Sequence, residues 1–233
     1  MTPEARQRLK QVSTATLTTV LFKRGLRNVF IQGIFLLNRA APRMVGEAYT
    51  LRYIPAREDL DQLGAFEGRG HPQREAIEAC PPGHVLVMDA RRDASAATGG
   101  DILMTRLMVR GAAGIVTDGG LRDSPTIEKL DFPVYCAARS APLNLVRHHA
   151  IDLQVPIGCG GVAVYPGDVV VGDGEGAVVI PAKMVDEVAK EAESQTQFED
   201  WVEMKVKEGR GIFGLYPPNA ETKAEFEAWK AKK

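Results

Sequence analysis

Apolar residues follow two rhythms along this chain, a strand–helix alternation first and short strands with glycine turns later. Leu17, Val20, Leu21 and Leu26 recur at roughly helical spacing until Gly25 and Asn28 interrupt, and Ser13 or Thr14 can cap that helix. Met44 to Tyr53 alternates and is β-branched or aromatic enough to predict a strand. Residues 58–70 mix acidic side chains with Gly64, Gly68 and Gly70 and read as a loop. Arg74 to Cys80 reads as a short helix stopped by Pro81-Pro82-Gly83.

The middle of the chain predicts a buried strand, Val85–Met88, ending at Asp89, and then a polar loop to Thr98-Gly99-Gly100. Asp101 to Arg110 reads as a helix with Ile102, Leu103, Leu107 and Met108 toward a core, and Gly111 and Gly114 mark its exit. Ile115–Thr117 is the next strand, Ser124–Leu130 a short helix, and Pro133–Cys136 a further strand. This βαβαβ order predicts an α/β protein with stacked sheet and helix layers. From about Val155 the pattern becomes Val162–Tyr165, Val169–Val171 and Ala177–Pro181, separated by tight turns, which predicts a β-meander. Lys183 to Lys207 is a long amphipathic helix with Val185, Val188, Ala189 and Ala192 on one face. Gly209 to Lys233 contains Pro217-Pro218 and a charged helix carrying Phe226 and Trp229. The expected organisation is one domain over 1–200 and a C-terminal helical arm over 201–233, packing on that domain or on a neighbouring subunit.

A length of 233 residues with 45% hydrophobic composition suits one folded domain plus an arm. Twenty-nine basic against 30 acidic residues give a net charge of −1, so no broad phosphate-binding surface and no nucleic-acid partner is expected. The polar start lacks a signal-peptide core, and Ile34–Leu37 is far too short to span a bilayer. Cys80, Cys136 and Cys159 are odd in number and not closely paired, which suits a reducing compartment. These features predict a cytoplasmic protein with no membrane contact.

The sharpest chemistry lies in Gly99-Gly100-Asp101 and Leu121-Arg122-Asp123. Two glycines before a helix leave backbone N–H groups unshielded at the positive end of the helix dipole, a cradle for carboxylate or phosphate. In a βαβ arrangement the loops after neighbouring strands open on one crevice, so Arg122 and Asp123 can face that cradle. A guanidinium, a carboxylate and free amides suit a small oxo-acid bound with a divalent cation. The blander readings are that Asp101 is only the helix cap and that Arg122–Asp123 is a surface ion pair. Elsewhere, Gly172-x-Gly174-x-Gly176 lies between strands and reads as a hairpin turn, with Asp168 and Asp173 as turn residues. Adjacent His148 and His149 point in different directions and are not a joint metal site. His71, near Arg69, is either a solvated loop histidine or a contact for a substrate's distal end.

Asp101, twenty residues, then Arg122-Asp123 resembles the signature of class II 4-hydroxy-4-methyl-2-oxoglutarate/4-carboxy-4-hydroxy-2-oxoadipate aldolases of the RraA-like superfamily. Gly83–Asp89, Gly111–Asp123, Gly160–Asp168 and Asp173–Pro181 resemble further family blocks, and the likeness runs over about residues 10–195. It implies a swivelling β/β/α domain assembled as a homotrimer or homohexamer, with the active site at a subunit interface. It also implies a lyase that cleaves a 4-hydroxy-2-oxo acid to pyruvate, with oxaloacetate decarboxylase side activity and Mg²⁺ or Mn²⁺ as cofactor.

Residue by residue, the resemblance makes Asp123 the metal ligand and Arg122 the contact to the substrate's 2-oxo oxygen. Asp101 then positions a water for proton transfer, and backbone amides near Gly100, Ile102, Leu103 and Met104 hold the pyruvyl carboxylate. Where the family often carries an acid three residues after the arginine–aspartate pair, this chain has Thr126. No lysine lies in these segments, which favours a metal route over a Schiff base. The alternative within the superfamily is a non-enzymatic regulator that binds ribonuclease E or another protein; Asp101 favours the enzyme.

Overall fold

The computed structural model describes residues 1–232 and opens with two helices, α1 (Pro3–Leu9) and α2 (Thr14–Lys23). Ser13 caps α2, its Oγ accepting from Thr16 N at 3.0 Å, and Asp173 grips the same helix start through Thr14 N and Thr14 Oγ1, each at 2.8 Å. Strands β1 (Phe35–Leu36) and β2 (Met44–Pro55) follow, then a 3-10 turn at Leu63–Phe66, helix α3 (Pro72–Ala79) and strand β3 (His84–Asp89). Helix α4 (Asp101–Val109), strands β4 (Gly114–Thr117) and β5 (Gly120–Leu121), the single turn α5 (Ser124–Ile127) and strands β6 (Val134–Cys136) and β7 (Ala138–Arg139) complete the middle. The remainder is a 3-10 turn at Asn144–Val146, β8 (His148–Leu153), β9 (Ile157–Cys159), β10 (Val162–Val164), β11 (Val169–Gly172), β12 (Ala177–Ile180), α6 (Val185–Lys207) and α7 (Ala220–Lys230).

The main sheet runs β1-β6-β4-β3-β2-β11-β12. Strands β2, β3, β4 and β6 are parallel, while β1, β11 and β12 are added antiparallel. One edge of β2 is shared: its first residues pair with β11 and its last with β8, with an irregularity between Arg52 and Tyr53. Alternation then sorts side chains by face. Leu86 and Met88, Ile115, and Val134 and Cys136 meet α3 and α4 on one face. Val169, Val171, Val178 and Ile180 meet α1, α2 and α6 on the continuation of that face. Val85, Val87, Val116, Tyr135, Val170 and Val179 point the other way, onto the β9–β10 hairpin and Ile31.

The α/β class expected from the sequence is the class observed, and the long predicted elements recur with shifted ends. Helix α3 begins at Pro72, whose missing N–H suits a first helical position. Helix α6 begins at Val185 after a 3-10 turn, and it runs unbroken across the expected boundary between residues 200 and 201. The expected meander differs: β11 and β12 form the hairpin, but β10 turns back onto β9. In the arm, α7 packs on the second half of α6 through Phe198, Trp201, Leu215 and Phe226, the Phe226 ring standing edge-on to Phe198 at 5.2 Å. No helix among the described residues is long and apolar enough to cross a membrane.

Candidate active site

Adjacent parallel strands β3 and β4 end at Asp89 and Thr117, so the loops that follow them open on the same edge of the sheet. Asp118, 2% exposed, fixes the first of these loops. Its Oδ1 accepts from Ala90 N at 2.7 Å, and its Oδ2 accepts from Arg92 N at 3.2 Å and Gly160 N at 3.0 Å. Burial pushes this carboxyl above its ordinary pKa, and the three N–H groups oppose that rise. Further along, Thr98 is buried and its carbonyl accepts from Gln73 Nε2 at 2.6 Å and Tyr53 OH at 3.3 Å. Thr98 N donates to Gly120 O at 2.8 Å, so Gly99-Gly100 is delivered from a clamped backbone.

Gly100, not Asp101, occupies the cap of α4, which corrects the capping reading of Asp101. Asp101 is the first helical residue, and its Oδ1 accepts from Ile102 N at 2.8 Å. Leu103 N and Met104 N both donate to Gly100 O at 3.1 Å. The amides expected to be free at Ile102, Leu103 and Met104 therefore already have acceptors. Of the N–H groups of residues 100–104 at this helix start, those of Gly100 and Asp101 have no partner among the described residues.

Asp123 sits in the left-handed region (φ 58°) at the head of α5, a conformation in which aspartate is well tolerated. This turns its carboxylate back toward α4, where Oδ2 meets Arg122 Nε at 3.2 Å. Both side chains are partly exposed, 46% for Arg122 and 41% for Asp123. A Cβ on Gly100 would lie 3.2 Å from Arg122 Cγ, so the glycine gives these side chains their room.

A pocket of about 300 Å³ opens here. Gly100, Asp101, Ile102, Leu103, Arg122 and Asp123 line it together, whereas Met104 is fully buried in the core beneath. Leu63 and Phe66, Gln73 and Arg74 of α3, and Leu143 and Asn144 also line it. Gln73, Arg74 and Asn144 were not singled out by the sequence. One signal was available, since Gln73 shares the buried side of α3 with Ala76 and Ile77 and is the polar residue on that face.

His71 and Arg69 lie with Asp61 and His149 in a separate hollow, where His149 Nδ1 meets Asp61 Oδ1 at 2.9 Å. His148 points away from His149, is fully buried, and lies between Ala96 O and Arg91 Nη2. Asp168 receives Tyr165 N and Ala182 N in its turn. All three cysteines are buried; burial pushes Cys80 and Cys136 up to about 12 and Cys159 well above the thiol range, which disfavours the reactive thiolate. Among the described residues no three His, Cys, Asp or Glu side chains form a metal cage.

The family model described as RraA-like, Aldolase/RraA, matches residues 14–179, which contain every residue of this pocket. A protein of Halalkalibacterium halodurans, provisionally named a 4-hydroxy-4-methyl-2-oxoglutarate aldolase, is 36% identical over 122 residues, 52% of this chain and 57% of that protein. A protein of Ectopseudomonas mendocina with the same provisional name is 34% identical over 108 residues, 46% of this chain and 66% of its own. The chain thus spans little more than half the length of the first of these relatives. Among solved structures, Streptomyces coelicolor RraAS2, described as an unusual member of the RNase ES inhibitor RraA family, superposes with a TM-score of 0.78 at 31% identity. That match covers 88% of this chain and 98% of RraAS2. An uncharacterized protein from Pseudomonas syringae gives a TM-score of 0.81 at 25% identity, covering 93% of this chain and 94% of its own.

Proposed function

This chain belongs to the RraA-like Aldolase/RraA family, and on that premise we propose that it is a class II aldolase, a divalent-metal-dependent lyase that cleaves a 4-hydroxy-2-oxo acid to pyruvate and a carbonyl product, with oxaloacetate decarboxylation as a side activity. The observation that carries this reading is that two free backbone amides, a guanidinium and two carboxylates belong to residues lining one small pocket.

A hard divalent cation fits these residues. Mg²⁺ and Mn²⁺ take oxygen ligands, keep several waters and need only one or two protein carboxylates. Asp123 would hold the ion, and the space beside its Oδ2 that a Cβ on Gly100 would fill stays open in this chain. When bound, the ion supplies Lewis-acid stabilisation of the electron pair released onto the pyruvyl fragment.

The chain's own groups do the rest. The N–H groups of Gly100 and Asp101, at the positive end of α4, suit the substrate carboxylate. The Arg122 guanidinium suits the 2-oxo oxygen, where negative charge grows as the C3–C4 bond breaks. Asp101 has its Oδ1 engaged by Ile102 N, leaving Oδ2 to orient a water that returns a proton to C3. Ile102, 78% exposed, and Leu103 give the mouth an apolar lip. An enzyme of this kind would act as a homotrimer or homohexamer, with a neighbouring subunit supplying the base for the 4-hydroxyl.

The likeness to RraAS2 supports a second reading, a regulator of a ribonuclease. Pyruvate release separates the two. Turnover of oxaloacetate and 4-hydroxy-2-oxo acids that needs Mg²⁺ or Mn²⁺, stops with EDTA and is lost in Asp123→Ala supports the lyase. A folded protein that releases no pyruvate from either substrate type would leave the regulator.

A further inference from the structure

The segment between β2 and α3 supplies pocket-lining residues, Leu63 and Phe66, yet little fastens it. Its ends are tied, Ala56 N to Arg147 O at 3.0 Å and Gly70 N to Glu75 Oε1 at 3.1 Å. Between them, the backbone hydrogen bonds and the Arg57–Asp59 pair close within residues 57–69. Among the described residues one hydrogen bond leaves that stretch, His149 Nδ1 to Asp61 Oδ1 at 2.9 Å. Phe66 adds a ring contact to His71 at 4.8 Å and lies under the Arg74 guanidinium at 4.6 Å. Leu63 is 73% exposed, so burial adds little there.

Both halves of the bond are held from behind. The Asp61 side chain is 2% exposed, and its Oδ2 accepts from Arg57 N at 2.8 Å, which closes the turn 57–61 just ahead of Leu63. A carboxylate only accepts, so Nδ1 of His149 carries the proton. His149 stands opposite Ile54 in the β2–β8 pairing, where the chain is about to leave β2, and alternation turns its ring away from the side taken by buried His148. The sheet thus fixes the imidazole, and the turn fixes the carboxylate.

We infer that His149 and Asp61 are positioning residues for substrate binding: their bond keeps Leu63 and Phe66 in place against the part of the substrate beyond its pyruvyl unit. This rests on the lyase reading above, in which Gly100, Asp101, Arg122 and Asp123 take the pyruvyl unit and leave Leu63 and Phe66 to the remainder. A segment with few outside contacts opens readily. When the binding-competent arrangement is populated only part of the time, apparent affinity falls by that fraction, while the bound complex reacts as before. The pair therefore acts on KM and not on kcat. Oxaloacetate carries only a carboxylate beyond C3 and so offers this wall less than 4-hydroxy-4-methyl-2-oxoglutarate does.

The test applies two readouts to the wild-type protein and to His149→Leu, Asp61→Ala and His149→Asn. Tryptic cleavage after Arg57 and Arg69, both exposed, reads whether the segment is held. Pyruvate release from 4-hydroxy-4-methyl-2-oxoglutarate and from oxaloacetate reads what holding it does. His149→Leu and Asp61→Ala should speed cleavage and raise KM for the hydroxy acid, each at least about fivefold, with kcat and the oxaloacetate kinetics within about twofold of wild type. Asparagine Nδ2 lies as many bonds from the backbone as histidine Nδ1, so His149→Asn should restore both values to within about twofold, which a space-filling role of the ring does not require. His149→Leu leaves the 57–61 turn intact and decides the matter if Asp61→Ala does not fold. Unchanged cleavage would overturn the pin itself. Faster cleavage with unchanged KM, an equal loss on both substrates, or no rescue by asparagine would overturn the positioning role while the lyase reading stands. A wild-type protein that releases no pyruvate from the hydroxy acid would remove the substrate role with its premise, and cleavage would still decide whether the pair pins the segment.

Discussion

Asp123 holds its Oδ2 2.6 Å from where a Cβ on Gly100 would stand. Gly100 has φ −137°, which any residue adopts, so an alanine there would meet the carboxylate by contact and not strain the backbone. Gly100→Ala should push the carboxylate aside and lower kcat/KM at least tenfold, with Tm falling by no more than a few degrees. Full activity in that variant would show that the carboxylate is not needed in its present place.

Arg122 is the cation beside the proposed oxo-binding position. Arg122→Ala should cost about 10²–10³ in kcat, the range for removing one preorganised donor to a developing oxyanion. Arg122→Lys should recover part of it, keeping charge without the planar fork. A KM effect with unchanged kcat would instead assign Arg122 to ground-state binding.

Asp118 joins three segments through three backbone N–H groups. Asp118→Ala leaves those donors buried without an acceptor, at about 1–3 kcal/mol for each that water cannot reach. The expected result is a clear fall in Tm together with lost activity, since the loop leading to Gly100 is released. An unaltered Tm would mean that water replaces the carboxylate.

His148 supplies the pH dependence. Burial, with Arg91 beside it, holds its pKa below the ordinary histidine value. The unfolded chain then takes up a proton near pH 6.5 while the folded state does not. Stability should be complete above that pH and decline as pH falls through the depressed folded value. His71 is shifted in the same direction by burial and adds to the slope. Comparing Tm at pH 7.5 and 5.5, His148→Gln should flatten the dependence; an unchanged slope would place its origin elsewhere.

Much of the fold can be read from periodicity, because the long strands carry it without interruption. In β3 and β4 each apolar residue goes to the face that alternation assigns, and Ser13 caps the helix it was expected to cap. Elements of two or three residues, β1, β5 and β7 among them, are too short to carry a period and exist only because neighbouring strands hold them. The site divides in the same way. Asp101, Arg122 and Asp123 lie in compact motifs and were visible; Asn144 enters the pocket only through the tertiary placement of a loop. The expected amide cradle spanned Gly100 to Met104; the amides of 102–104 have acceptors and those of Gly100 and Asp101 do not, a division set by the φ and ψ that make Gly100 the cap and not by residue type.

The shared edge of β2 has a consequence for synthesis. Residues 44–55 leave the ribosome early, yet their neighbours on that edge are 148–153 and 169–172. Helix α1, earlier still, is covered by α6, which starts at Val185. Contacts so distant along the chain close slowly. The first third of the protein therefore waits, with a long apolar strand half paired, until most of the polypeptide has been made, and nascent chains cut short before residue 170 would present that strand as an open edge to other molecules.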